Sequence, residues 1–378
     1  MPWIPMGCVL RRAWTALAAA ALILVGHGPC WADRIILRNL EVLADKRVAE
    51  FNEDGIRLSD GTRIQWDQVE RAQVDPGQQA AFDRMLKELG TQLYRLRQRL
   101  TVGDYRGLLE HAEALYPRYV GRDSETAYLV FQSLMWARLA SGQREAAVEP
   151  YVRAFDYLQR RPPADAKLPG QRRLSFDRQT GMTRELIPIW FDAEAARLAL
   201  PAVLKAVSEM AEPRPEGMRI YYGTLALAAG DWDTARRVLA GVQGEQPKLA
   251  ELLRIAVAQG EVLAGQRGAA LQSLDEGFEK LDPENQPLAL YWLGRSKLAS
   301  SDASARREGM LQLLQLPALY GETYPDLAAA GLYHTMMAYA QEQDVSAQSA
   351  LRRELLNHYK QTYHAQLVRK NLNQKTDP

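Results

Sequence analysis

A glycine-led pattern recurs four times along the chain, and recurrence of this kind is the strongest constraint on its fold. Gly103-Asp104-Tyr105 is followed by Leu108, Ala112 and Leu115, and Gly142-Gln143-Arg144 by Ala147, Tyr151 and Ala154. Gly230-Asp231-Trp232 precedes Ala235, Leu239 and Val242, while Gly265-Gln266-Arg267 precedes Ala270, Leu274 and Gly277. The offsets behind each glycine fall on one helix face, where small residues let two helices approach and bulky ones fill the gap. Glycine at the head of the pattern takes the left-handed conformation that ends one helix before the next begins. The repeated unit is a helical hairpin. Hairpins in tandem cover each other's apolar faces, so the pattern predicts a stacked helical array.

This spacing resembles the tetratricopeptide repeat, in which a small residue also stands seven before the turn glycine. Gly223 does so before Gly230, and Ala258 before Gly265. The fullest copy runs from Tyr222-Gly223-Thr224-Leu225-Ala226 through Gly230-Asp231-Trp232 to Ala235, and Leu281-Asp282-Pro283 resembles the repeat's closing triplet, one residue late. Further hairpins are expected around Ser301-Asp302, beside Tyr291-Trp292-Leu293-Gly294, and around Gln343-Asp344. The resemblance covers roughly residues 78–370. It implies a mainly α fold, an α-solenoid wound as a right-handed superhelix whose concave face binds other proteins.

Upstream of the array the period changes. From Asp33 to Val74 short alternating runs are separated by Asp54-Gly55 and Asp60-Gly61, pairs that supply the positive φ of tight hairpin turns. Ile64 and Trp66 alternate with Arg63, Gln65 and Asp67. The stretch Gly55–Glu70 resembles SH3-like or Sm-like modules, which implies a small β mini-barrel. Asp75-Pro76-Gly77 then opens a helical stretch, where Phe82, Met85, Leu86, Leu89, Leu93, Leu96 and Leu100 predict one long helix ending at Gly103.

Between Arg160 and Asp192 the array is interrupted by Pro162, Pro163, Pro169 and Pro188 and by a basic cluster, Arg172, Arg173, Arg178 and Arg184. This reads as an inserted loop or hairpin, either solvated or docked into the array, with Pro188-Ile189-Trp190-Phe191 as its apolar end. Asp192 is placed to cap the next helix, and Pro201 predicts a break or kink in it.

At the front, Arg11-Arg12 and the apolar run Ala13–Val25 lead to Cys30-Trp31-Ala32, the layout of a secretory signal cleaved before Asp33. The run is shorter than the ~20 residues of a spanning helix. The expectation is an exported protein, periplasmic or secreted, touching membrane only through an uncleaved signal segment. Both cysteines of the chain, Cys8 and Cys30, fall in this segment, so the remainder has no thiol for a disulfide or a cysteine-bound zinc. The expected divisions are a leader (1–32), a β module (33–76), a first set of hairpins (77–160), the insertion (161–191), a longer helical array (192–370) and a polar tail (371–378).

Charge narrows the partners. Over 378 residues, 47 Lys and Arg stand against 46 Asp and Glu, which gives no field to hold a polyanion, and nucleic acid is not expected. No nucleophile elbow, phosphate loop, dinucleotide fingerprint or zinc-binding histidine pair occurs, so neither an enzyme nor a cofactor or metal is expected. His111, His334, His358 and His364 read as surface or satisfied helix histidines. Carboxylate pairs such as Asp54 with Asp60, or Asp177 with Glu185, fall in turns, which favour Asp for backbone reasons. With the resemblance, these readings point to a non-catalytic scaffold that binds a partner protein or peptide. Candidate contact residues are Tyr128, Arg138, Arg219, Arg254, Tyr359 and Tyr363. A cell-envelope glycan-binding or structural protein, or an accessory subunit of an envelope enzyme, are the alternatives.

Overall fold

The computed structural model describes residues 33–44, 46–161 and 174–376. The expected signal segment, with Cys8 and Cys30, and the loop arginines Arg172 and Arg173 lie outside the described residues. The chain divides into two compact units, one ending at Tyr94 and one beginning at Arg95.

In the first unit the strands are β1 (Arg34–Leu37), β2 (Val42–Leu43), β3 (Val48–Asn52), β4 (Gly55–Leu58), β5 (Arg63–Ile64) and β6 (Val69–Gln73). They form two antiparallel three-stranded sheets, β2-β1-β6 and β3-β4-β5, rather than the closed mini-barrel expected from the sequence. Closure fails for local reasons. The edge strands β2 and β5 are two residues long, and a 3-10 turn at Trp66–Gln68 takes the chain out of the ladder between β5 and β6. A side chain links the two instead: the Asp33 carboxylate accepts the Val48 N–H at 2.6 Å.

Helix α1 (Pro76–Met85), capped by Asp75, supplies the missing wall. Its Phe82 meets Trp66 and Phe51 at ring-centre distances of 5.0 and 5.3 Å, and all of Trp66 is buried. The predicted single helix is divided by a π-helical turn at Leu86–Gly90, after which α2 (Thr91–Val102) continues the chain. A side chain at Gly90 would press on the Leu86 side chain at 2.8 Å and the Trp66 carbonyl at 3.1 Å, so the bare backbone there is a packing requirement.

The second unit is helical: α3 (Leu109–Tyr119), α4 (Glu125–Ala140), α5 (Arg144–Gln159), α6 (Ala193–Glu209), α7 (Gly217–Ala229), α8 (Trp232–Leu239), α9 (Pro247–Leu263), α10 (Ala269–Gly277), α11 (Gln286–Leu298), α12 (Ala303–Tyr320), α13 (Pro325–Gln341), α14 (Val345–His358) and α15 (Tyr363–Thr376). Each packs on the next through most of the series, and the first helices of successive hairpins also pack on one another, α7 on α9, α9 on α11, α11 on α13 and α13 on α15. Gly103, Gly142, Gly230 and Gly265 have φ of +75°, +73°, +80° and +69°, the left-handed turn geometry. Between α13 and α14 Gln343 takes that geometry without being glycine, at φ +59°, and Asp344 caps α14. Helix α6 runs without a break through Pro201, where the sequence predicts a break or kink. The proline sits on the solvent side, so the carbonyl deprived of its partner faces water. Among the described residues no helix is long and apolar enough to cross a membrane.

Close packing joins α11, α12 and α13 at glycines. A Cβ on Gly294 would meet the Leu313 side chain at 2.8 Å, and one on Gly331 would run into the Leu313 backbone carbonyl. Because a backbone cannot yield as a side-chain tip does, Gly331→Ala should destabilise the protein by about 1–3 kcal/mol despite alanine's better helix propensity. Gly277→Ala, with open space around it, should not. Urea denaturation of the two variants checks the contrast.

Candidate functional site: the inner face of the helical array

The inserted segment builds a polar interior. From Leu174 to Phe191 it forms no strand ladder. The Asp177 carboxylate accepts the Gln179 N–H at 2.8 Å, Gly181 turns the chain at φ +71°, and a 3-10 turn at Arg184–Leu186 passes into extended backbone ending in buried Ile189 and Trp190. An extended segment with no neighbouring strand leaves its peptide groups to be satisfied by side chains, and the surrounding helices provide them.

Three hydroxyls and an indole hold it. The Tyr151 hydroxyl on α5 donates to the Gly181 carbonyl at 2.6 Å, and the Tyr221 hydroxyl on α7 accepts the Thr183 N–H at 3.2 Å. The Trp190 indole N–H donates to Thr224 Oγ1 on α7 at 3.0 Å, and that hydroxyl donates onward to the Ile220 carbonyl at 2.6 Å. Phe176 stands edge-on to Phe155 at 4.9 Å. Gly217, at the start of α7, lets the helix approach so closely that any Cβ there would strike the Thr180 carbonyl. Burial pushes the Tyr151 and Tyr221 hydroxyls well above the usual phenol range, so both stay protonated.

Two charged residues at the start of α5 complete the grip. Arg144, almost fully buried, donates to the Ile187 carbonyl at 2.9 Å and the Ile189 carbonyl at 3.4 Å, and pairs with Asp326 of α13 at 2.7 Å. Glu145, also buried, accepts the Phe191 and Asp192 N–H groups at 2.7 and 3.1 Å. Desolvation raises its carboxyl above the ordinary range, against the opposing effect of those two N–H groups. The far end of the array closes on the same place: Gln366 of α15 donates to the Ser141 carbonyl at 3.0 Å, and a Cβ on Gly142 would meet the Gln361 carbonyl at 2.8 Å.

Phe191 ends the segment in an aromatic and imidazole cluster. Its ring lies 4.6 Å from His364, 6.2 Å from Tyr291 and 6.3 Å from Tyr363. Behind it Arg295 donates to the Tyr291 hydroxyl at 2.9 Å and sits 2.8 Å from His334 Nε2. Arginine only donates, so that imidazole nitrogen carries the lone pair and His334 is neutral. Burial, then Arg295, lowers both histidines; His364 falls to about 3 and His334 well below its ordinary value. The expectation of surface or satisfied histidines holds for His334, which is half-buried and meets Arg295 and the Tyr291 hydroxyl, but not for His364, which is buried with no hydrogen-bond partner for Nδ1 among the described residues.

Of the contact residues expected from the sequence, Arg138 and Tyr363 are brought to one cavity of about 680 Å³, with Glu145, Glu149 and Lys370 also in its lining. Tyr359 lines another of about 500 Å³, beside Arg144, Arg184 and Lys360. Tyr128 is not on an open face: it is 4% exposed and stacks on Tyr157 at 4.9 Å, because α4 is enclosed by its neighbours on all sides. Arg219 donates to the Gly241 carbonyl and Arg254 is exposed on α9. Asp177 and Glu185 are engaged locally, the first in its turn and the second with Ser175 and Thr183. Among the described residues no three His, Cys, Asp or Glu side chains stand together to hold a metal ion. The sequence reading missed Arg144, Glu145, Tyr221 and Thr224; the apolar run at Ile189–Phe191 was the one signal that the insertion is an interior element. No family model, curated protein or solved structure matches the chain.

The neutral histidines tie stability to pH with a definite sign. Unfolded imidazoles take up protons near pH 6.5, while folded His364 resists down to about 3 and His334 is lowered too. The unfolded chain therefore binds more protons over that interval, and stability falls as pH drops below 6.5, by up to about 1.4 kcal/mol per pH unit for each histidine. In the variant carrying His334→Gln and His364→Gln, the slope of unfolding free energy between pH 7 and 5 should shrink by about 1.4 protons' worth. Urea titrations at a series of pH values measure it, and equal slopes would contradict the assignment.

Proposed function

We propose that the protein is an exported, non-catalytic scaffold, a degenerate tetratricopeptide-like solenoid that binds a partner protein or peptide. The observation that carries this reading is the hold on residues 174–191. Helices of successive hairpins grip an extended stretch of polypeptide by side chains that bond its peptide N–H and C=O groups: Tyr151, Tyr221, Arg144 and Glu145. Contacts to peptide groups are how a helical groove recognises an extended chain, and here the chain held is the protein's own. The inner face is thereby committed. A partner reads the surfaces around it, among them the two cavities that contain Arg138, Tyr359 and Tyr363. Export rests on the Arg11–Ala32 segment, and periplasmic or secreted location follows from it.

The test is affinity capture of the tagged full-length protein from its native cells after mild cross-linking, with mass spectrometry of what is held. A reproducible protein partner is expected, with its recovery reduced severalfold by Arg138→Glu combined with Tyr359→Ala and Tyr363→Ala. Folded bait that repeatedly retains nothing specific would overturn the scaffold reading.

A further inference from the structure

The second helices of the array are unequal. α5, α12 and α14 are 16, 18 and 14 residues long, whereas α8 has 8 and α10 has 9. Where α12 lies against both α11 and α13, α8 packs on α7 and scarcely on α9. A trough of about 710 Å³ is left along the outer side of α9, walled by Leu227, Trp232, Leu239, Leu253, Ala256 and Val257. Apolar side chains stand open there: Trp232 is 39% exposed and Val257 45%, with Leu263 nearby on α9 at 40%. Isolated exposed leucines or valines need no explanation, but an indole and a helix seam sharing one trough mark an interaction surface.

Guanidinium groups outnumber the exposed carboxylates near the trough, where Asp233 on α8 is the acidic counterpart. Arg236 on α8, Arg254 one turn before Val257 on α9, and Arg267 just beyond the α9 turn are exposed, and none forms an ion pair among the described residues. The carboxylate in the lining, Glu261, is turned onto the Ala270 and Leu271 N–H groups at 3.1 and 2.9 Å, where it caps α10. Its charge is matched by that helix terminus rather than by the arginines. An apolar floor bordered by guanidinium groups without ion pairs complements an amphipathic helix with acidic flanks.

We infer that the trough between α8 and α9 is the docking site for an amphipathic helix of a partner protein, apolar along one face and carrying Asp or Glu beside it. The inference rests on the scaffold reading and names its surface and the partner's chemistry. Helix α9 spans 17 residues, ~25 Å, so a bound helix of about five turns covers the seam. The partner's leucines or phenylalanines enter between Trp232 and Val257, and its carboxylates meet Arg236 and Arg254.

The probe is a labelled synthetic peptide of about 18 residues, helical, with leucines at i, i+3, i+4 and i+7 and glutamates flanking them, paired with a twin carrying lysines in place of glutamate. Fluorescence anisotropy with the full-length protein should give binding of the glutamate peptide at least roughly tenfold tighter than of the lysine twin, weakening as salt rises. Val257→Glu should abolish binding, and Arg236→Glu with Arg254→Glu should reverse the preference; these exposed positions leave folding intact. Equal binding of both peptides, no binding of either, or binding unchanged in Val257→Glu overturns the inference, as does a dimer in light scattering that Val257→Glu disperses, which would make a second copy the occupant. If cross-linked capture of a native partner persists in Val257→Glu, the trough is not its site and the scaffold reading stands without it.

Discussion

Arg144 ties three stretches of chain together through one side chain. One guanidinium, buried at the head of α5, donates to carbonyls of the inserted segment and to Asp326 at the head of α13. A buried ion pair gains little net stability over a well-packed apolar substitute, because both charges leave water. Its leverage lies in the asymmetry: with either partner gone, the other is a buried charge without compensation, at a cost of roughly 3–5 kcal/mol. The path of the segment is therefore specified, not merely permitted. A different path would leave two of the guanidinium's donor positions and two peptide carbonyls without these partners.

The same logic orders the rest of the interior. Burying an extended segment without a sheet obliges the helices to carry polar groups inward, which is why Tyr151, Tyr221, Thr224 and Glu145 are all inside. Further along, Arg295 brings a positive charge next to two imidazoles, with no carboxylate paired to it among the described residues. The cation is tolerated because its neighbours are acceptors: the Tyr291 hydroxyl, the His334 lone pair and, at 5.8 Å, the Tyr291 ring face. Neutral histidine is thus a requirement of the cluster rather than an accident of burial. Protonating either imidazole would set like charges beside Arg295 where water cannot screen them.

Local signals in the sequence carried the architecture much further than the site. The turn glycines, the Asp caps and the change of period at Asp75 are properties of neighbouring residues, and the hairpins follow from them. Closure of the β module was misread because alternation reports strands but not whether edge strands are long enough to meet. Pro201 does not break its helix for a related reason, since the rule against internal proline weakens where the freed carbonyl faces solvent. The site was illegible for a different cause. Arg144 and Asp326 are far apart in the chain, and neither lies in a motif; only the folded array makes them partners. The apolar end of the insertion was visible, but whether such a run is a solvated loop or an interior strap depends on tyrosines and a threonine that, in sequence, look like ordinary helix residues.

A prefilled inner face shifts recognition outward. In an open array the first helices offer the binding surface and the second helices serve as backing, so variation among second helices has no consequence for a ligand. Here residues 174–191 are held between the second helix α5 and the first helix α7, and the lengths of the second helices α8 and α12 set how much of the outer seam is covered. Long α12 covers its share. Short α8 leaves Val257 and Trp232 open. Truncating a helix forfeits buried apolar area at ~25 cal/mol per Å², a loss that a purely structural array would not sustain in two consecutive hairpins. The unevenness of the outer layer and the filling of the inner one belong to one arrangement: the inserted segment packs between the helices from within, and the shortened α8 leaves the trough at Trp232 and Val257 open.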